Sequence, residues 1–142
     1  MKDTIVQLLA ACIGSFGFAL VFGLHRRYLL PAALGGVLSW GTFLAAKAWI
    51  GTEFLPCLIA SALAVLYSEA MARLLKTPAT LFVTPSVLPL VPGGSLYYAM
   101  SSAVRGEMLA ARAYGTTTLL YALAIAAGIS FVVACRELRT KK

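Results

Sequence analysis

The sequence predicts an all-α integral membrane protein with about five transmembrane helices, the fourth of them broken at a Pro/Gly-rich segment. Three observations predict it. Of the 142 residues, 61% are hydrophobic and 12% charged, with a mean hydropathy of +0.88, which is more apolar surface than a soluble domain of this size can hide. The apolar residues form continuous runs rather than the alternating pattern of a transmembrane barrel, so helices are the spanning elements. Within the apolar run 77–98 lie four of the six prolines and the pair Gly93 and Gly94, a combination that a continuous helix does not tolerate.

Residues 4–24 predict the first helix, long enough to cross about 30 Å of hydrocarbon. This run exceeds the apolar core of a signal peptide and shows no small-x-small cleavage site, so it is expected to remain as a membrane helix. Ala10 with Gly14, and Ala11 with Ser15, are small pairs at four-residue spacing that let a neighbouring helix approach. A basic turn follows at His25, Arg26 and Arg27; the histidine reads as a solvated loop residue, with a pH-sensing role as the alternative. The second helix is expected over 28–46, with Gly35, Gly36 and Gly41 on a close-packed face, Lys47 at its end and Trp49 at the interface.

The third helix, 54–75, carries Glu69 and Arg73 four residues apart on one face, an ion-pair spacing. A charge in a membrane helix is costly and usually faces the bundle interior. Two readings stand: Glu69 as a proton acceptor or partner for a substrate ammonium, or a structural clamp with Arg73 snorkelling outward.

Thr77 and Pro78 read as the N-cap and first residue of the fourth helix. Residues before prolines leave the helical region, so 88–94 should be unwound near the bilayer centre, with Gly93 and Gly94 free to take positive φ. Ser95 would then cap a second half-helix over 96–109. Such a half-helix starts with unpaired N–H groups and partial positive charge, suited to a carboxylate, while carbonyls freed around Pro89 can accept from an ammonium or hydroxyl. Thr84, Ser86, Ser95 and Tyr97 add neutral polar groups. The alternative is a kinked or re-entrant helix of purely structural use.

Residues 114–135 predict the fifth helix, with Ala124 and Gly128 as a contact pair. Cys12, Cys57 and Cys135 lie in or beside apolar segments without C-x-x-C spacing and read as packing residues, with neither a zinc site nor a disulfide framework. The net charge of +7 is spread between the apolar runs, as orientation signals are, which argues against nucleic acid as a partner. Arg26, Arg27, Arg73, Lys76, Arg136, Arg139, Lys141 and Lys142 fall on one side and Lys2, Lys47, Arg105 and Arg112 on the other. That bias predicts an outer N-terminus and a cytoplasmic C-terminus in the plasma (inner) membrane. No H-E-x-x-H, G-x-S-x-G or P-loop occurs, and an enzyme is not expected; nor is a cofactor.

The segment formed by Glu69, Arg73, Thr77, Pro78, Ala79, Thr80, Pro85, Pro89, Leu90, Val91, Pro92, Gly93, Gly94 and Tyr97 resembles the small C-terminal module of the threonine/serine exporter (ThrE-type) family. The resemblance implies export of small polar amino acids or small carboxylates, by a module that pairs with a larger five-helix membrane subunit of the same family. It also implies that Pro89, Pro92, Gly93 and Gly94 shape the substrate site, with Glu69 and Arg73 beside it; Ser95 and Tyr97 are further substrate-binding candidates, for their polar groups next to that turn. A dicarboxylate (succinate-like) exporter subunit, a non-transporting accessory subunit and a homo-oligomeric channel or transporter are the alternatives.

Overall fold

The computed structural model describes residues 2–140, with side chains over 3–138, and contains no strand among them. Six helices follow in order: α1 Lys2–Val21, α2 Arg26–Ile50, α3 Phe54–Leu75, α4 Thr80–Val87, α5 Gly93–Val104 and α6 Met108–Thr140. One 3-10 turn, Leu88–Leu90, extends α4. Helices α1, α2, α3 and α6 are each long and apolar enough to cross a membrane, and Thr80–Leu90 is a shorter apolar helical segment. The chain is an all-α membrane protein.

Helix ends differ from the apolar runs because hydropathy marks what lipid accepts, whereas helix ends are set by backbone chemistry. Helix α2 continues beyond Lys47 to Ile50, where Gly51 at φ 71° turns the chain and donates its N–H to Lys47 O at 3.1 Å. A left-handed residue of this kind is the common helix stop, and glycine adopts it without strain. Helix α6 begins six residues before the expected 114, since Arg112 is polar but a good helix former. At 33 residues it is about 50 Å long.

Thr77 does not cap α4. Its N–H donates to Ala72 O at 3.0 Å, closing the end of α3 together with Lys76 in the left-handed conformation, and the next helix starts at Thr80 with Ala79 at the N-cap. Backbone spent on ending one helix cannot begin the next.

Pairs of contacts define the directions. Gly36 meets Ser15 and Gly41 meets Leu8, so α1 and α2 are antiparallel. Tyr67 Oη donates to Pro31 O at 2.8 Å, while Cys57 and Ala60 cluster with Phe43, so α2 and α3 are antiparallel too. Helix α4 runs beside α2: Phe82 meets Tyr28 edge-on at 6.0 Å, Ser39 donates to Ser86 O, and Leu90 packs with Phe43. Helix α6 is parallel to α3, with Tyr121 beside Cys57, Gly128 against Leu58, and Arg136 against Glu69.

Small residues make this packing possible, as is usual between membrane helices, where close backbone approach replaces the hydrophobic drive of water. Ser15, Ser39, Ser61, Ser68 and Ser86 are fully buried, and Gly128 and Ala124 seat α6 on α3 as expected. On α1 only one of the two small pairs is used: Ala11 and Ser15 are buried, whereas Ala10 and Gly14 are exposed. Two apolar clusters result. One, with Leu24, Leu29, Ala72 and Phe82, lies at the end carrying Arg26, Arg27, Arg73 and Lys76; the other, with Phe43, Cys57, Leu90 and Ala124, lies toward the α2–α3 turn.

Candidate functional site

After Leu90 the backbone leaves the helical form at Val91 (φ −64°, ψ 124°) and Pro92 (φ −78°, ψ 57°), then α5 begins at Gly93. The non-helical stretch is shorter than the expected 88–94, because Leu88, Pro89 and Leu90 wind into a 3-10 turn that needs fewer backbone donors. Gly93 and Gly94 are helical and not at positive φ, a state confined among the described glycines to Gly23, Gly51 and Gly106. Ser95 is no N-cap: it sits within the first turn of α5, and its Oγ donates to Pro92 O at 3.2 Å. Gly93 N–H donates to Val91 O at 2.8 Å and Leu96 N–H to Pro92 O at 3.1 Å. The N–H groups of Gly94 and Ser95 find no backbone acceptor among the described residues, the normal condition of a helix start.

This turn lines a cleft of about 540 Å³, within the range of small-ligand sites. Pro89, Pro92, Gly93, Gly94 and Ser95 all face it, so five of the six residues expected at a substrate site come together. Tyr97 does not join them. It points to the other side of α5, into a groove with Met100, Ser101, Val104 and Arg105, because two helical residues beyond Ser95 is more than half a turn away.

The opposite wall comes from residues that the sequence alone left unconnected: Trp40, Glu53, Tyr98, Tyr114, Thr117 and Tyr121. Glu53 accepts from Lys47 Nζ at 2.9 Å across the α2–α3 turn. Tyr121 reaches toward the same carboxylate from α6. Trp40 stacks on Phe43 at 5.1 Å, and its buried Nε1–H has no acceptor. Tyr98 and Tyr114 pack at 5.5 Å where α5 turns back along α6. One signal could have drawn attention to Glu53: it is one of only five acidic residues in the chain.

The cleft thus sits beside the α2–α3 turn rather than midway along the bundle. Leu90, packed with Phe43 and Cys57, has already crossed most of the body before the chain breaks.

Glu69 and Arg73 are not beside it. They lie at the far end of α3, where Glu69 Oε1 accepts from Arg136 at 3.2 Å and Oε2 lies 3.8 Å from Arg73. The Glu69 side chain is 11% exposed and lines clefts separate from the Pro/Gly turn. Its second partner, Arg136, is 67 residues away in sequence.

No group of three or more His, Cys, Asp or Glu able to hold a metal occurs among the described residues. The cysteines are free: Cys57 is buried, Cys12 half-buried and Cys135 exposed.

Comparison with known families decides the class. The threonine/serine exporter (ThrE) family matches residues 7–135. The chain belongs to that family. Its role is therefore membrane transport of the threonine/serine exporter type, in a family of transporters rather than enzymes. No curated protein and no solved structure matches the chain. Within a member of this family, the cleft at the Pro/Gly turn sets two N–H groups without a backbone acceptor on one side, a carboxylate on the other, and aromatic walls between. Such a set can bind a small solute that carries both a carboxylate and a cationic or hydroxyl group.

Proposed function

We propose that this chain is the small membrane subunit of a secondary exporter of threonine, serine or a similar small carboxylate-bearing solute. It alternates access together with a larger five-helix membrane subunit of the same family. One observation carries the reading: the helix start at Gly94 and Ser95 shares a single cleft with Glu53. The substrate carboxylate sits at the α5 N-terminus, where N–H groups and the helix dipole favour an anion. Its ammonium faces Glu53, and its hydroxyl meets Thr117 or Tyr121.

This placement favours an amino acid over a dicarboxylate. A second substrate carboxylate would be set against Glu53, and like charges at contact distance repel. Glu53, not Glu69, is then the carboxylate within reach of the substrate ammonium; Glu69 lies at the far end of the bundle with Arg73 and Arg136.

An odd number of passes supports the half-transporter reading, because a five-helix module preceding this one would have the opposite orientation, as inverted repeats do. The end carrying Arg26, Arg27, Arg73, Lys76 and Arg136 faces the cytoplasm in this reading, with the N-terminus outside, in the plasma (inner) membrane.

The experiment is efflux of labelled threonine, serine and succinate from cells expressing this chain alone, then with the five-helix family partner. Efflux only with both chains is expected, with threonine or serine ahead of succinate. Efflux from this chain alone would replace the proposal by a homo-oligomer; succinate ahead of the amino acids would overturn the ammonium site. Absence of efflux with both chains would leave an accessory role.

A further inference from the structure

The end of the bundle opposite the substrate cleft holds a second pair of cavities. One, of about 400 Å³, is lined by Glu69, Arg73, Lys76, Arg136 and the link from α3 to α4. The next, of about 290 Å³, shares Glu69, Arg73 and Arg136 but continues between α3 and α6 along Leu66, Ala70, Val132 and Cys135. A charged cavity thus runs into a largely apolar groove on the outer face of the bundle.

Basic side chains predominate among the described residues of the first cavity: Arg73, Lys76 and Arg136 line it with one carboxylate, Glu69. Glu69 already receives Arg136 at 3.2 Å and stands 3.8 Å from Arg73, which brings both guanidinium groups to the same cavity. Arg73 remains 76% exposed and so keeps donor faces for another anion. Guanidinium forks suit phosphate oxygens in particular. Leu66, at 51% exposure, and Ala70 line the groove with the apolar surface that a hydrocarbon chain covers.

We infer that these two cavities form one binding site for an anionic phospholipid. The phosphodiester lies among Arg73, Lys76 and Arg136, and an acyl chain follows the α3–α6 groove past Leu66, Ala70 and Val132. Glu69 acts as the positioning residue that sets the two arginines. Basic pockets between transmembrane helices hold anionic headgroups in this way, each Lys or Arg near the surface contributing roughly a fivefold preference. The combination of a headgroup-sized cationic cavity with a contiguous apolar groove fits a lipid better than a free anion, which has no use for the groove.

The test is native mass spectrometry of the delipidated full chain, titrated with equimolar phosphatidylglycerol and phosphatidylcholine. The wild-type chain is expected to retain phosphatidylglycerol at least about tenfold better. In the double variant Arg73→Gln, Lys76→Gln the preference should fall toward unity. Both side chains are exposed, so folding is not at stake; Lys47→Gln, at the other end, should leave the preference intact. Ala70→Trp, which fills the groove, should weaken binding of long-chain more than of short-chain phosphatidylglycerol. Equal retention of the two lipids by the wild type, or an unchanged preference in the double variant, would overturn the site. Complete displacement of phosphatidylglycerol by millimolar inorganic phosphate would reassign it to a free anion.

Discussion

Lys47 Nζ lies 2.9 Å from Glu53 Oε1, at the turn that joins α2 to α3 and at the rim of the cleft built around Gly94. The pair is about two-fifths exposed on both sides, so its worth to stability is small, about 0.2–1 kcal/mol. Its placement matters more than its energy, because it puts a carboxylate opposite a helix start.

Glu53→Gln separates those two roles. The variant should unfold within about 1 kcal/mol of wild type yet lose roughly tenfold or more in amino-acid efflux, the effect of removing a charge-assisted contact. Efflux and thermal unfolding of the same preparation provide the check. Efflux at the wild-type level would remove Glu53 from the substrate site.

Gly94→Val tests the other wall. A Cβ at Gly94 meets nothing within 4 Å, and the backbone there is ordinary helix. The fold should therefore accept valine, while the added methyl groups enter the cleft. Membrane abundance is expected to stay normal and efflux to vanish; a variant that transports normally would show that substrate passes elsewhere.

Gly36 and Gly14 should respond in opposite directions. A Cβ on Gly36 would come within 2.6 Å of Ser15 Cβ, whereas one on Gly14 meets nothing within 4 Å. Gly36→Val should cost about 1–3 kcal/mol through overpacking, and Gly14→Ala should add about 0.5–1 kcal/mol by lowering the backbone entropy lost on folding. Reversible unfolding in mild detergent measures both, and equal effects of the two would contradict the α1–α2 packing.

Tyr67→Phe removes the hydroxyl that donates to Pro31 O at 2.8 Å. Hydrogen bonds between membrane helices average about 0.6 kcal/mol with a maximum near 1.7, and the loss should fall in that interval. The same unfolding assay applies, and a stabilised variant would mean that the carbonyl of Pro31 needs no partner.

The cleft and the basic end show how differently two sites can be read from a chain. Pro89, Pro92, Gly93, Gly94 and Ser95 are neighbours in sequence, and residues so close share a turn whatever the fold does around them; their convergence was legible. Glu53, Tyr121 and Trp40 reach the same cleft from α3's approach, α6 and α2, and no local pattern links positions so far apart. Arg136 is invisible as a partner of Glu69 for the same reason, whereas Arg73, one helical turn away, is not.

Composition and continuous apolar runs by themselves determined that the chain is a helical membrane protein, since lipid leaves the backbone no other way to satisfy its hydrogen bonds over such stretches. The prolines determined that a helix is interrupted between 88 and 94, because they act locally on φ and on backbone donors, though not which of those residues leave the helical form. Tertiary structure alone decided which small pair of α1 faces the core, that Glu53 shares a cleft with the start of α5, and that Arg136 of α6 meets Glu69. Helix faces and directions follow from how distant segments pack, and packing is a property of pairs of helices that neither helix encodes alone.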